Sequence, residues 1–286
     1  MRISVFGLGY VGSVTAAGLT HLGHEVVGVD VVPEKLQSLQ AGVAPVKEPQ
    51  LDELLGRALR EGRLRFTASD QEAVLASDCA MVCVGTPSTA EGEVALGAVR
   101  RCVRRIAKIL AKSDKADYCI VIRSTVPPGT TQQMAALVQA ELAAQSSACR
   151  LTFCMHPEFT REGVAVHDFL HPALIVFGED EADGIPILRS IYPDMDVPVM
   201  MVDTRTAELI KYTNNAFHAL KVAFANEIGR IAEAYGVDSH RVMDILCADT
   251  KLNISSKYLR PGFAFGGSCL PKDLRGITSI AQQQKV

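Results

Sequence analysis

A chain of 286 residues, 48% of them apolar, can bury a full core in one large or two modest domains without disulfide or metal staples. Its net charge of −3, from 29 basic and 32 acidic residues spread along the chain, leaves no basic face for nucleic acid and no polybasic membrane segment; small molecules and further copies of the chain are the expected partners. No apolar run approaches the roughly 18 residues that span a bilayer, and Met1-Arg2 leads straight into strand-like residues with no room for a signal peptide, so the expected location is the cytoplasm.

Ile3 to Phe6 reads as a short strand, Gly7-Leu-Gly-Tyr-Val-Gly12 as a turn, and Val14 to Leu22 as a helix packed on a sheet. Gly7 permits the tight turn, Gly9 lets the backbone approach a pyrophosphate, and Gly12 lets helix and strand pack closely. The free N–H groups at the helix start favour the anion. A second strand, Glu25 to Asp30, ends on a carboxylate about 20 residues after the glycines, placed to bind the adenosine ribose hydroxyls and to repel a 2′-phosphate. Lys35 stands alone rather than in an arginine cluster, so NAD is expected over NADP.

Further strands are expected at 78–84, 118–122, 151–155 and 173–177, with helices around 50–62, 98–112 and 130–144. This alternation predicts an α/β fold: a Rossmann-type, doubly wound parallel sheet over residues 1–202, followed by an α-helical central region over 203–286. Ligands of such sheets lie beyond the carboxyl ends of the strands, which places the loops Val84-Gly-Thr86-Pro and Arg123-Ser-Thr125-Val-Pro-Pro-Gly129 near cofactor and substrate, although either also fits a plain Pro/Gly turn.

From Thr206 to about Tyr235 a long amphipathic helix is expected. Lys211, Asn215 and His218 fall at i, i+4 and i+7, on one stripe that fits either a solvated face or a functional one. Of eight scattered cysteines, Cys79, Cys83, Cys119 and Cys154 sit in apolar runs as small buried hydrophobes. None forms paired Cys-x-x-Cys blocks, so neither disulfides nor a metal site is expected. Cys269 differs. In Gly266-Gly-Ser-Cys-Leu-Pro-Lys-Asp273 it is presented beside a cation that would raise its thiolate fraction, although a cysteine filling a turn also fits.

These blocks, with Pro157-Glu-Phe, Glu208-Leu-Ile-Lys-Tyr212 and Phe224-Ala-Asn-Glu-Ile228, occur in the order found in the UDP-glucose/GDP-mannose dehydrogenase family, which the whole chain resembles. Asp249-Thr-Lys-Leu-Asn253 and Arg260-Pro-Gly-Phe-Ala-Phe-Gly-Gly267 look most like its GDP-mannose branch. The resemblance implies a four-electron oxidation of a nucleotide-sugar C6 alcohol, GDP-mannose to GDP-mannuronate for alginate-type polysaccharide, with two NAD used in succession. Cys269 would form a thiohemiacetal and then a thioester. Lys211 would stabilise oxyanions, Thr125, Asn215 and Asp273 would hold or activate water, and Glu162 would act as base or in thioester hydrolysis.

By the same resemblance Tyr10, Val11, Asp30, Lys35, Thr86 and Thr125 contact NAD, and His218, Lys221 and Arg260 join Glu162, Lys211 and Asn215 on the substrate side. His156 and Thr160 replace a family Asn and Leu, and Lys257 replaces an aromatic of the GDP-mannose branch. The family's C-terminal nucleotide-binding domain has no counterpart here, and the helical region is expected to pair two copies. Competing readings are a UDP-glucose 6-dehydrogenase, an inactive NAD-binding and dimerisation module, and the hydroxyacid and 6-phosphogluconate dehydrogenases, which need no nucleophilic cysteine.

Overall fold

The computed structural model describes residues 1–181, 185–193, 195–255 and 270–285. In chain order the elements are β1 (Arg2–Phe6), α1 (Tyr10–His21), β2 (Glu25–Val29), α2 (Pro33–Gln40), α3 (Leu51–Arg60), β3 (Leu64–Thr67), α4 (Asp70–Ala76), β4 (Cys79–Val82), α5 (Gly97–Leu110), β5 (Asp117–Ile122), α6 (Thr130–Ala144), β6 (Arg150–Met155), α7 (Ala165–Leu170), β7 (Ile175–Gly178), α8 (Ile185–Ile191), β8 (Val199–Val202), α9 (Thr204–Ala234), α10 (Ser239–Ala248) and α11 (Leu270–Gln284). They divide into two compact units, Met1–Asn214 and Asn215–Val286.

The first unit is the expected doubly wound Rossmann-type fold, an eight-stranded sheet in the order β3-β2-β1-β4-β5-β6-β7-β8. Both faces are covered, because alternate residues of its central strands point to opposite sides and both sets are apolar. Ile3, Val5, Met81 and Val121 pack with Leu19, Leu55 and Phe169 of α1, α3 and α7. Phe6, Val82, Ile120 and Ile122 pack with Val103, Ile106 and Leu110 of α5. On α5 the buried positions 99, 102, 103, 106, 107 and 110 follow the helical period, so one stripe meets the sheet.

Two strands escape the sequence pattern. β3, whose apolar run is broken by the exposed Arg65, and β8 lie at the two edges of the sheet. The sheet is also not parallel throughout, because β7 runs antiparallel to β6 and meets it only at Met155 and Gly178. The chain leaves β6 by a loop and the six-residue α7, whose Phe169 packs on the same sheet face as α1, and re-enters the sheet beside Met155 in the opposite direction.

In the second unit, the Asp238 carboxylate caps α10 by accepting from the amides of His240 and Arg241. Among the described residues no helix is long and apolar enough to cross a membrane.

Candidate active site

The glycine turn between β1 and α1 is shaped by backbone contact. Gly7 has φ +89°, and a Cβ there would fall 2.8 Å from Val84 Cα; a Cβ on Gly12 would fall 1.8 Å from the Gly7 carbonyl oxygen. Gly9 has no heavy atom within 4 Å of its would-be Cβ, so open space lies in front of the turn. No side chain caps α1 and no acid lies in its first turn, leaving its first N–H groups for an anion. Gly12→Ala is expected to lower NAD affinity at least about tenfold and to cost about 1–3 kcal/mol of stability by overpacking. An NAD titration and a thermal melt check this, and wild-type values in both would sink the assignment.

Asp30, one residue past β2, is buried. Its Oδ2 accepts from the Leu8 amide at 2.8 Å and from Lys35 Nζ at 2.7 Å, and its Oδ1 accepts from the Val32 amide at 3.1 Å. Burial works to raise its pKa, but Lys35 and the two amides outweigh burial and hold it below the ordinary carboxylate value. The loops after β4 and β5 are joined by Thr86 Oγ1 donating to the Thr125 carbonyl at 2.9 Å and Ser124 Oγ donating to the Val84 carbonyl at 2.6 Å.

Between these features lies a cleft of about 610 Å³ lined by Gly7, Gly9, Tyr10, Val11, Asp30, Lys35, Thr86 and Thr125, which gathers every residue expected to touch the dinucleotide except Gly12, the packing glycine. Its open floor, free helix amides and ionised acid fit a dinucleotide. A larger cavity of about 800 Å³, beside Asp117, Gln139 and Arg150, contains none of the expected site residues.

Deeper in the same unit, Lys211 Nζ meets Glu158 Oε1 at 2.7 Å, with both side chains buried. The Glu158 carboxylate also accepts from the Thr160 amide at 2.8 Å and its hydroxyl at 2.5 Å. Burial pushes the Glu158 pKa up, but Lys211, Thr160 and Arg123 together hold it below the ordinary glutamate value. Arg123 is itself buried, donating from Nε to Thr15 Oγ1 at 3.0 Å.

Lys211 owes its place to Glu208, one turn earlier on α9. The fully buried Glu208 carboxylate accepts from the amides of Gly129 and Thr131 at 2.5 and 2.6 Å and from the Thr131 hydroxyl at 2.6 Å, seating an anion on the N-terminus of α6. Neither Glu158 nor Glu208 stood out as a functional side chain in the sequence. Both lie inside the family blocks, and that was their only signal.

Glu162 is exposed, four residues beyond the buried Glu158. Asn215, His218 and Lys221 are exposed on α9 beyond Lys211, and Lys221 Nζ lies 4.8 Å from the Phe217 ring centroid. Cys269, Arg260 and Lys257 lie outside the described residues, as does the side chain of Asp273, a residue of α11. His156, where the family has Asn, is buried and tied structurally: Nδ1–H donates to the Val176 carbonyl at 2.8 Å and Nε2 accepts from the Tyr192 hydroxyl at 2.7 Å. Burial keeps it neutral, with its pKa well below the ordinary value. The four cysteines expected in the sheet are buried, and burial raises the Cys83 thiol to about 12.

Residues 1–196 match the NAD binding domain of the UDP-glucose/GDP-mannose dehydrogenase family and residues 205–286 match its central domain. The GDP-mannose 6-dehydrogenase of Pseudomonas syringae pv. syringae is 47% identical over 97% of this chain and 63% of its own length. A UDP-glucose 6-dehydrogenase of Bacillus subtilis is 36% identical over 98% of this chain and 62% of its own. A crystal structure of a ternary complex of GDP-mannose dehydrogenase from Pseudomonas aeruginosa superposes with a TM-score of 0.95 at 44% identity, covering 100% of this chain and 65% of that one. The chain thus spans a little under two thirds of these relatives. It belongs to the UDP-glucose/GDP-mannose dehydrogenase family, whose NAD binding domain and central domain it carries in that order.

Proposed function

We propose that this chain oxidises the C6 alcohol of a nucleotide sugar to the carboxylate, with GDP-mannose as substrate, GDP-mannuronate as product and two NAD consumed in succession. Residues 1–202 serve as the cofactor half and 203–286 as the helical half. The buried Lys211–Glu158 pair carries this reading, since Arg123 and Cys83, which line the dinucleotide cleft, lie near enough to feel the Glu158 charge. A cation and a carboxylate sealed together beside a cofactor cleft suit alkoxide stabilisation and proton transfer in a dry site.

Bound NAD supplies the hydride acceptor. Lys211 stabilises the oxyanion of each intermediate. Between Glu162 and Glu158 as the proton-transferring acid, burial beside Lys211 favours Glu158. The Cys269 thiolate adds to the C6 aldehyde to give a thiohemiacetal; loss of a second hydride leaves a thioester, and water held by Thr125, Asn215 and Asp273 releases the carboxylic acid and the thiol. Arg260, His218 and Lys221 take the substrate side. The exposed Leu220, Val222 and Phe224 on α9 suit pairing with a second copy.

With NAD and GDP-mannose the protein is expected to form two NADH per sugar and a transient adduct on the Cys269 peptide, seen by mass spectrometry, and to run as a dimer at micromolar concentration. Higher turnover with UDP-glucose would reassign the substrate, and a monomeric mass would remove the pairing. Bound NAD with no NADH from either sugar would favour the second reading, a cofactor-binding and dimerisation module.

A further inference from the structure

Glu48 has no part in the chemistry described above, yet it is one of few buried acids in the first unit and bonds two separate loops. It lies between α2 and α3, 9% exposed. Its Oε2 accepts from the Tyr10 hydroxyl and from the Gly163 amide at 2.9 Å, and its Oε1 accepts from the Ala165 amide at 2.6 Å. Tyr10 is the first residue of α1, directly after Gly9 at the open side of the glycine turn, and it lines the dinucleotide cleft. Gly163 and Ala165 end the loop that leaves β6 carrying Glu158 and Glu162, and the Arg161 carbonyl of that loop lies 3.4 Å from the Tyr10 hydroxyl.

We propose that Glu48 is a positioning residue that ties the dinucleotide-binding turn to the loop carrying Glu158, so that binding of NAD orders the substrate side. The importance of that loop for substrate rests on the function proposed above; the tie itself does not. A phosphate held by the first amides of α1 restrains Tyr10, whose hydroxyl then presents a fixed donor to Glu48. With one of its three donors fixed, the Glu48 carboxylate has less freedom to release the other two, and the amides of Gly163 and Ala165 open less often. By linkage, whatever orders the loop must tighten NAD binding by the same factor. A purely structural strap would hold the loop equally well with and without NAD.

Hydrogen–deuterium exchange over residues 156–170 of the full chain separates these cases, read with and without NAD at a concentration that titration proves saturating. In the wild type, NAD is expected to slow exchange at 163–165 at least about threefold. In Glu48→Gln, NAD at a concentration that saturates the variant still binds but the slowing is lost. Glu48→Ala, which removes both acceptor oxygens, serves if Glu48→Gln does not fold. Two outcomes overturn the proposal: exchange unchanged by NAD in the wild type, or slowing retained in either variant. The experiment uses no sugar. An unreactive chain that passes it would disprove the dehydrogenase proposal alone, and an active chain that fails it would disprove the Glu48 tie alone.

Discussion

Cys269→Ala is expected to lower turnover of nucleotide sugar at least about a thousandfold while leaving NAD affinity unchanged, because the nucleophile that carries the second oxidation is gone. Any residual NADH should not exceed one per sugar, since an aldehyde with no thiol to add to it does not reach the thioester. Cys269→Ser should fare little better: a hydroxyl is seldom ionised at neutral pH, and an oxygen ester would be released more slowly. Two of the other thiols are excluded as substitutes. Cys83 and Cys102 are sealed in the first unit, where burial lifts both to about 12, so neither supplies thiolate near pH 7. Steady-state rates with NADH counted against sugar consumed decide the matter. Two NADH per sugar at the wild-type rate from Cys269→Ala would end the thioester mechanism.

Lys211→Met should be nearly as damaging, and on two separate measures. Glu158 would remain buried with its ammonium partner removed, and breaking such a pair from one side costs about 3–5 kcal/mol. Turnover should fall at least about a hundredfold, since no cation would face the developing oxyanion. The double variant Lys211→Met with Glu158→Leu separates the two effects: stability should recover toward wild type as the buried charge disappears, while activity stays lost. Recovery of both would reduce the pair to a structural role.

The same carboxylate has a signature in acid. Because the folded protein holds the Glu158 pKa below its unfolded value, its contribution to stability is complete above the ordinary glutamate pKa and is lost as pH falls through the lower, folded one. Urea midpoints at pH 7 and pH 4 should therefore converge between wild type and Glu158→Gln on acidification. A constant gap would contradict the depressed pKa.

The cofactor half was the more legible in the sequence, because its instructions are local. Gly7, Gly9 and Gly12 lie within six residues, and Asp30 closes a strand whose apolar run is plain to see. The acids that organise the rest are nonlocal. Glu48 meets Gly163 and Ala165 across more than a hundred residues, and Glu208 meets Gly129 and Thr131 across nearly eighty. A buried carboxylate looks like any surface acid until its donors are known. Glu162 was singled out only by its match to a family position, whereas burial and the ion pair belong to Glu158. The reversal of β7 was hidden for a related reason: strand direction depends on where the chain re-enters the sheet, and residues 175–178 read the same either way.

At the glycine turn, the walls nearest the open space are peptide groups: the Gly7 carbonyl, the Val84 backbone and the uncapped amides of α1. None of these can gain or lose a proton in the range where proteins stay folded. The grip on a phosphate is thus indifferent to acidity, while Asp30 in the same cleft holds a carboxylate that acid neutralises. A bound dinucleotide is therefore expected to loosen in acid at the Asp30 end first, and at the glycine turn only when the fold itself gives way.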